Sequence, residues 1–423
     1  MARLMPILNS SENFGKLQSA YRSKHSTETA LLKIFDDCYK VMDEKRGTVL
    51  ITLDISAAFD TIVHDVLLNR LERCFGISGS FLKWIQSYLS NRRQFIKVGN
   101  CTSAIHYLTA GVPQGSVLGP LLFCAYVSTL SSVIPEGILF HQYADDTQLY
   151  CAVSVSDFEA DVRILEECTK DIEYWFLQNG MLLNADKSDA VLLSTPQQAK
   201  KLSSNAAVSI AGTSVVLSDS VRNLGVIIDK SLSLDKQIKS VCSSCYFHMK
   251  AFRHIRPALD DETARDVARC IVMSRIDYCN SLYFGLSKKN INKLQRIQNS
   301  LARLVLRAPF RSLSIPLLMT LHWLPVELRI RFKVALVVFK CRNKLAPIYL
   351  EDLLSDHVPT RSLRSSGADY LCVPRVKTVV ASRAFSSAGP FVWNDLPSNV
   401  RTARSVELFK RNLKTFLFAA VNY

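Results

Sequence analysis

The amino-acid sequence predicts an α+β fold, and three patterns support this prediction. An apolar run at residues 49–53 has the composition of a buried strand and leads directly to Asp54. A second apolar pattern reads as a hairpin and carries Tyr-Ala-Asp-Asp at residues 143–146. Residues 234–306 instead show helical spacing of apolar side chains and many basic residues. Acid-bearing strands followed by basic helices predict an α+β core with appended helical domains.

Each element of the N-terminal half is predicted by a local signal. A helix is expected over 27–42, because Ser26 or Thr27 can act as its N-cap and its apolar side chains form one stripe. Gly47 separates this helix from the first strand, and Gly180 ends a later amphipathic helix. The remaining predicted elements are helices at about 64–76 and 80–89, a hairpin at 95–108, a loop at 111–116 and a long helix at about 157–178.

The C-terminal half reads as short strands followed by helices. Polar breaks separate strand patterns over 189–229, and helical spacing begins near Leu234. Residues 311–423 contain two amphipathic stretches, 326–345 and 406–418, with a middle that contains Ser, Pro and Gly. The residue types of this last segment indicate no particular chemistry.

Charge is distributed unevenly along the chain, whose net charge is +15. Residues 1–229 contain 20 Lys and Arg against 24 Asp and Glu, a net charge of −4, whereas residues 230–423 contain 32 against 13, a net charge of +19. An acidic half joined to a strongly basic half predicts a catalytic body that binds metal and a second part that binds a polyanion such as nucleic acid.

The adjacent carboxylates of Asp145 and Asp146 predict a metal site. Two acids at the tip of an apolar hairpin are costly unless something binds them, and hard divalent cations prefer oxygen ligands. Asp54 supplies a third carboxylate from another strand. Three such acids suggest a two-metal site for phosphoryl transfer. The alternative is that the pair occupies a solvated turn and that Asp54 caps a helix.

Cysteine usage and the N-terminal residues predict an intracellular protein. Twelve cysteines are scattered without a compact framework, as in proteins of reducing compartments. The N-terminus shows no charged-then-apolar signal pattern. The most apolar stretch, 117–134, is interrupted by Gly119-Pro120 and by serines, so we expect no membrane span there. The sequence does not distinguish the nucleus from the cytoplasm.

Six sequence blocks resemble the reverse transcriptase of LINE-type (non-LTR) retrotransposons, and they stand in the order of that family. A single Tyr-x-Asp-Asp would be weak evidence, since short motifs recur by chance, whereas six ordered blocks are a specific signal. The resemblance covers about residues 18–310. The blocks are QSAYRSKHSTETALL (18–32), LDISAAFDTIVHDVLL (53–68), GVPQGSVLGPLLF (111–123), YADD (143–146), LNADKS (183–188) and LGVIID (224–229).

The resemblance implies a right-hand polymerase whose partners are an RNA template, a DNA primer and deoxynucleoside triphosphates, with no membrane. It implies partial fingers at 1–46, a palm with the remaining fingers elements at 47–229, and a helical thumb at 230–310. Residues 311–423 would form a mostly helical C-terminal extension of unknown role.

The resemblance also implies the catalytic residues. Asp54 and Asp145 correspond to direct ligands of two Mg²⁺ ions, with Mn²⁺ as the alternative metal. Asp146 is also expected to be a catalytic residue and a metal ligand. Because side chains alternate along a strand, it points to the opposite side from Asp145, so we expect it to support the metal site rather than to bridge the two ions. Such ions lower the pKa of the primer 3′-OH and stabilise the attacking and leaving oxygens. Lys187 is expected near the leaving pyrophosphate, the alternative being an ordinary surface lysine.

Four residues are expected to bind substrate. Phe59 would stack beneath the incoming sugar and exclude a ribose 2′-OH, unless it is simply a core side chain. Gly115 lets the backbone approach a base pair or phosphate, and Gln114 can hydrogen-bond template or nucleotide; the alternative is an ordinary loop that precedes a helix. Arg22 is expected to replace part of a triphosphate clamp that upstream fingers residues supply in the family.

Six basic residues at near-helical spacing are expected to bind nucleic-acid phosphates. Apolar residues between them would pack one face of a helix, and the basic face would bind in a sequence-independent, salt-sensitive way. A solvated charged face is the alternative. The six residues are Lys288, Lys289, Lys293, Arg296, Arg303 and Arg307.

The upstream fingers block of the family, a segment with Tyr-Arg-Pro, has no counterpart in residues 1–16. This predicts an N-terminally truncated polymerase without an endonuclease domain. Two interpretations stay open: an RNA-directed DNA polymerase of retrotransposon origin, whose activity the incomplete fingers put in question, and a catalytically impaired remnant that only binds nucleic acid. An unrelated metal-dependent nuclease ranks last, because it would need neither the aromatic residue after Asp54 nor the loop at 111–116. The intact Asp54, Asp145, Asp146, Phe59 and Gln114 favour the polymerase.

Overall fold

The computed structural model describes residues 4–201, 207–358 and 369–421. The α-helices of this part of the chain are α1 (Leu4–Ser10), α2 (Thr27–Asp43), α3 (His64–Phe75), α4 (Gly79–Leu89), α5 (Gly119–Tyr126), α6 (Phe158–Gln178), α7 (Pro196–Ala199), α8 (Asp235–Ile255), α9 (Asp261–Val267), α10 (Ser274–Asp277), α11 (Lys288–Val305), α12 (Ser314–Thr320), α13 (Val326–Arg342), α14 (Ile348–Glu351), α15 (Phe385–Asn394), α16 (Ser398–Arg401) and α17 (Val406–Ala419). Short 3₁₀ segments lie at Ser128–Val133, Arg256–Ala258, Asn280–Tyr283 and Ala381–Arg383, and a π-helical turn lies at Ala268–Met273.

The strands of the described residues form one four-stranded sheet and four two-stranded ones. Their bounds are β1 (Gly47–Ser56), β2 (Arg92–Gln94), β3 (Lys97–Val98), β4 (Cys101–Thr102), β5 (His106–Leu108), β6 (Leu139–Tyr143), β7 (Asp146–Val153), β8 (Leu182–Leu193), β9 (Ala207–Ile210), β10 (Thr213–Val216), β11 (Ser220–Asn223) and β12 (Val226–Asp229).

The chain divides into two compact units. The first comprises Met1–His25, Thr48–Leu192 and Gln197–Ser218, and the second comprises Ser26–Gly47, Leu193–Pro196 and Asp219–Tyr423. The predicted α+β fold class is confirmed. The four-part division into fingers, palm, thumb and extension stays a prediction.

The four-stranded sheet, in the order β6-β7-β1-β8, is the centre of the first unit. The first five residues of β1 are all buried, because they are apolar or small and lie in an interior strand of the sheet. Helix α6 packs against β7 and contributes Leu165, Ile172 and Phe176 to the core. This packing fixes the end of β1 that carries Asp54 and the start of β7 that carries Asp146.

A long antiparallel ribbon, Arg92–Leu108, follows α4 in the first unit. Strand β2 pairs with β5, and β3 pairs with β4 nearer the tip. The predicted hairpin at 95–108 is therefore confirmed, and it begins three residues earlier than expected. Every side chain from Arg93 to Thr109 is exposed.

Helices dominate the second unit, as the sequence pattern predicts. Helix α2 begins at its N-cap Ser26, whose hydroxyl accepts a hydrogen bond from the Thr29 amide in a capping box. Helix α13 packs against α15 and α17, and the rings of Phe339 and Phe409 stack 4.2 Å apart in this core. No helix of the described residues has the length and apolar composition needed to cross a membrane.

The prediction of short strands starting near residue 189 is wrong at its N-terminal boundary. Strand β8 is 12 residues long and begins at Leu182, so that the LNADKS block lies within it. The strand is at the edge of the sheet, and most of its first half faces solvent. Polar residues are tolerated at such an edge, which removes the apolar pattern on which a strand prediction depends.

Candidate active site

The Tyr143–Asp146 turn carries two of the predicted catalytic carboxylates at the end of the β6–β7 hairpin. Tyr143 pairs with Asp146, which leaves Ala144 and Asp145 as the two turn residues. Ala144 has a φ of +59°, a conformation that residues other than glycine rarely adopt. Contacts from elsewhere in the unit must therefore stabilise this turn.

The side-chain amide of Gln18 supplies those contacts. Its Nε2 donates to the Ala144 carbonyl at 3.2 Å, and its Oε1 accepts from the amides of Ala144 at 2.9 Å and Ala20 at 3.0 Å. Gln18 is only 3% exposed, so these hydrogen bonds are shielded from water. The glutamine thus binds both backbone groups of the residue that precedes Asp145.

The backbone around Gln18 runs alongside β6. Ser19 donates its amide to the Gln142 carbonyl at 2.9 Å, and Gln142 donates its amide to the Leu17 carbonyl at 3.0 Å. The Ser19 hydroxyl is hydrogen-bonded to Nε2 of His141 at 2.8 Å, and both side chains are buried. The QSAY block therefore supports the Tyr143–Asp146 hairpin over several residues.

Asp54 and Lys187 lie on the neighbouring strands β1 and β8. The Asp54 amide donates to the Ser188 hydroxyl at 3.3 Å, and that hydroxyl donates to the Asn184 carbonyl at 2.9 Å. The Lys187 side chain is exposed. The strand order β7-β1-β8 thus brings Asp146, Asp54 and Lys187 onto three adjacent strands.

Asp145 and Asp54 both contribute to the electrostatic environment of Asp146. Asp146 is accessible to solvent, but the protein around it raises its pKa to about 6, with smaller contributions from the negative charges of Asp145 and Asp54. Burial raises the pKa of the Tyr21 hydroxyl, with smaller contributions from Cys124 and Asp145. A bound cation would relieve the repulsion that Asp146 experiences from the other two aspartates.

The carboxylates of Asp54, Asp145 and Asp146 are oxygen donors of the kind that Mg²⁺ prefers, but they do not enclose a metal ion by themselves. Within residues 4–201, 207–358 and 369–421, no three His, Cys, Asp or Glu side chains lie close enough together to hold a metal ion. Mg²⁺ is commonly held by one or two carboxylates together with substrate phosphates and water. Asp54, Asp145 and Asp146 fit that open type of site, and their assignment as metal ligands stays a prediction.

Phe59 and Gln114 lie close to the loop that follows the ribbon. The rings of Phe59 and Phe123 are stacked, with their centroids 4.8 Å apart. The backbone carbonyl of Phe59 accepts a hydrogen bond from the Val112 amide at 2.8 Å. Gln114 donates through Nε2 to both carboxylate oxygens of Asp60, at 3.2 and 3.1 Å. Asp60 lies in the turn that precedes helix α3, which begins at His64.

Glycines give this loop its shape. Gly115 has a φ of +78°, and Gly111 has a φ of +86°. A Cβ at Gly111 would lie 2.8 Å from the Asp60 carbonyl oxygen, so only glycine allows the two segments to approach this closely. The substrate-binding roles predicted for Phe59, Gln114 and Gly115 remain untested by this geometry.

Arg22 contacts its own segment. Its Nη1 donates to the carbonyls of Gly15 at 2.8 Å and Gln18 at 3.2 Å, and its guanidinium lies 4.8 Å from the ring centre of Phe14. These contacts stabilise the loop that positions Gln18. The triphosphate contact predicted for Arg22 stays a prediction.

Helix α11 carries five of the six predicted nucleic-acid-binding residues, and Arg307 follows its end. Its apolar residues Ile291, Leu294 and Ile297 are buried, while Lys288, Lys289, Arg296 and Arg307 are exposed. Lys293 and Arg296 line a cavity of about 370 Å³ together with Lys236, Lys239 and Tyr246 of α8. The basic residues of α8 were not singled out from the sequence.

The two C-terminal arginines of the set also have structural partners. Arg303 donates to the Ser312 carbonyl at 2.9 Å and to the Ser314 hydroxyl at 2.8 Å. Arg307 donates to the carbonyls of Pro257 and Leu259, both at 3.2 Å. Both arginines line a second cavity, of about 490 Å³, that also contains Arg253 and Arg256.

Comparison with known proteins identifies the family. The model described as "Reverse transcriptase (RNA-dependent DNA polymerase)" matches residues 1–228, more than half of the chain. The chain belongs to the reverse transcriptase family. The six ordered sequence blocks predict this membership, and the match confirms it.

Relatives of this reverse transcriptase chain come from mobile elements. It is 25% identical over 308 residues to "RNA-directed DNA polymerase from mobile element jockey" of Drosophila funebris, covering 70% of this chain and 32% of that protein. It is 25% identical over 319 residues to "Probable RNA-directed DNA polymerase from transposon BS" of Drosophila melanogaster, covering 73% and 34%. The predicted resemblance to LINE-type polymerases is confirmed. The chain spans about a third of the length of these relatives.

Solved structures similar to the chain include telomerases. The structure of apo telomerase from Candida tropicalis matches with a TM-score of 0.39 and 14% identity, covering 77% of this chain and 54% of that one. The telomerase of Candida albicans in complex with a fragment of telomeric RNA matches with a TM-score of 0.36 and 13% identity, covering 78% and 53%.

Proposed function

We propose that this chain is an RNA-directed DNA polymerase of retrotransposon origin. It would transfer deoxynucleotides to a primer 3′-OH on an RNA template by two-metal-ion catalysis. The observation that carries the proposal is that Asp146 on β7 and Asp145 in the turn before it lie near Asp54 on the adjacent strand β1, close enough for Asp145 and Asp54 to contribute to the raised pKa of Asp146. Family membership and the names of the mobile-element relatives support the same activity.

Four side chains of the chain would have separate roles in the transfer reaction. Asp54 and Asp145 would hold two Mg²⁺ ions, and Asp146 would support them. When bound, the metal would polarise the primer 3′-OH and the nucleotide phosphates. Lys187, exposed on the strand beside Asp54, would neutralise charge on the leaving pyrophosphate.

Nucleotide and template would be held by the loop that contains Gln114. Its amide is pre-oriented by Asp60, and its backbone is shaped by glycines with positive φ. Phe59 lies on the same side of the core, where its ring is fixed by Phe123. A ring held in this way would exclude a ribose 2′-OH sterically.

The basic cavity between α8 and α11 would bind the phosphates of the template–primer duplex. Four cationic side chains line it, and Asp235 is the acidic residue among its lining groups. Such binding would be independent of sequence and would weaken steeply with salt.

Primer extension tests the proposal. The wild-type chain, a DNA primer annealed to RNA, deoxynucleotides and Mg²⁺ are expected to give extended DNA, and Asp145→Ala is expected to give none. Asp171→Ala, which removes an exposed acid on α6 outside the site, is the control and should extend normally. No extension by the wild-type chain, with salt-sensitive binding of an RNA–DNA hybrid retained, would replace the proposal with the alternative of a remnant that only binds nucleic acid.

A further inference from the structure

Helix α4 carries three aromatic rings that the proposed chemistry does not use, of which Trp84 is exposed and Phe81 and Tyr88 are half-buried. The rings of Phe81 and Trp84 are stacked with centroids 6.1 Å apart, and those of Trp84 and Tyr88 are stacked at 6.5 Å. The guanidinium of Arg92 lies 5.5 Å from the centre of the Tyr88 ring. We call these four residues the aromatic row. Trp84 is 53% exposed, although a ring of this size is usually largely buried.

The surroundings of the aromatic row are basic. The sequence contains no Asp or Glu from Arg73 to Pro135, although the N-terminal half as a whole is acidic. Lys83, Arg93 and Lys97 accompany the row and the ribbon that follows it, and all three are exposed. Positive charge interleaved with exposed aromatic rings is the composition of surfaces that bind single-stranded nucleic acid.

The aromatic row contacts the loop at residues 111–116, which contains Gln114. The Tyr88 hydroxyl donates to the Ser116 hydroxyl at 2.8 Å, and Ser116 in turn accepts from the Gly119 amide at 3.0 Å. A cavity of about 420 Å³ beside the row is lined by Gln86, Arg92 and Tyr107, with Asp65 as its acidic group. A strand on the row would therefore continue toward Gln114.

We propose that the aromatic row and the ribbon Arg92–Leu108 bind the single-stranded part of the RNA template. Bases stack on the rings of Trp84 and Tyr88, and phosphates meet Lys83, Arg92 and Arg93. The naming of this strand as the template rests on the proposed polymerase function. A polyanion is favoured over an apolar protein partner because the segment from Arg73 to Pro135, which carries the row and the ribbon, supplies exposed Lys and Arg side chains and no Asp or Glu.

Tryptophan fluorescence reports on this surface directly. The chain contains four tryptophans, and Trp175, Trp323 and Trp393 are at most 6% exposed. A 20-nucleotide single-stranded RNA, added without metal or nucleotides, is expected to quench the emission of Trp84 in the wild-type chain. Trp84→Phe should lose the quenching and keep an affinity within about 3-fold, because a phenyl ring still stacks.

Affinity is then measured by fluorescence anisotropy on two RNA–DNA hybrids, one blunt and one with a single-stranded RNA overhang. Trp84→Ala should bind the overhang hybrid about 10-fold more weakly than the wild-type chain and the blunt hybrid equally well. Tyr174→Ala is the matched control, since Tyr174 is an exposed helical aromatic that stands next to the acidic Glu173. It should change neither affinity.

Unchanged affinity of Trp84→Ala for the overhang, or equal losses on both hybrids, would overturn the proposal. Unchanged affinity would mean that the aromatic row does not bind RNA and that its partner is of another kind, such as a protein. Because binding is measured without metal or nucleotides, a chain that fails to extend a primer can still pass this test, and an active polymerase can still fail it.

Discussion

Replacing Gln18 with methionine should disable the active site without removing any carboxylate. The variant Gln18→Met keeps the length of the side chain but loses three hydrogen bonds, to both backbone groups of Ala144 and to the amide of Ala20. At about 1 kcal/mol for each hydrogen bond, the loss of stability is roughly 3 kcal/mol. The left-handed conformation of Ala144 costs about 1–2 kcal/mol, and the three hydrogen bonds more than offset that cost in the wild-type chain. Without them the strained conformation is no longer stabilised, so the turn should adopt a different backbone conformation.

Relaxation of the turn displaces Asp145, the next residue. A misplacement of about 1 Å can cost about 100-fold in rate, so single-turnover primer extension by Gln18→Met should fall by about that factor. The Mg²⁺ concentration for half-maximal activity should rise as well, because the carboxylate is no longer held in place. Both are measured at a temperature where urea unfolding shows the variant to be folded.

Gln298→Met is the matched control for this variant. Gln298 is fully buried in the second unit and donates to the Leu324 carbonyl at 2.9 Å. Its replacement should lower stability and leave the Mg²⁺ requirement unchanged. If folded Gln18→Met keeps the wild-type rate and Mg²⁺ requirement, the side chain does not position the turn and the reasoning is refuted.

Two further predictions concern the second unit. Arg256→Met should lower the free energy of unfolding by about 2–3 kcal/mol in urea denaturation, because it leaves the buried carbonyl of Val305 without its donor and removes one of the two donors to the Leu259 carbonyl; a change below about 0.5 kcal/mol would contradict this. The double variant Lys293→Gln with Arg296→Gln should reduce the slope of log affinity against log salt by about 2 for an RNA–DNA hybrid, whereas Arg163→Gln on α6 should leave it unchanged; an unaltered slope in the double variant would exclude these residues as phosphate contacts.

Elements with strong local periodicity could be predicted from the sequence. The capped helix α2, the apolar strand β1 and the Tyr143–Asp146 hairpin all follow from patterns within a few residues, and the structure confirms them. The grouping of Asp54 with Asp145 and Asp146 was also expected, since each ends or begins an apolar strand. Local sequence therefore accounts for where the carboxylates lie.

The contacts that hold the site could not be predicted in the same way. Gln18 and Ala144 are 126 positions apart, and a lone polar side chain leaves no periodic signal of its partner. The Gln114–Asp60 pair likewise joins residues 54 positions apart. The predicted start of strand β8, near residue 189, is wrong because the strand begins at Leu182. Its solvent-facing edge positions accept polar residues, so the sequence shows no apolar pattern there. Such features depend on tertiary packing, which no local pattern encodes.

The most direct test of the central claim is a mutant cycle on Asp54 of β1 and Asp145 of the turn between β6 and β7. Single-deoxynucleotide incorporation on an RNA template is measured for Asp54→Asn, Asp145→Asn and the double variant, with Asp171→Asn as the control. If the two carboxylates form one catalytic site, each single variant should lose about 10³-fold in rate and the double variant should lose little more, because groups that act as a unit are not additive. Losses that multiply in the double variant, or single variants that retain most of the rate, would contradict the assignment of Asp54 and Asp145 to one polymerase centre.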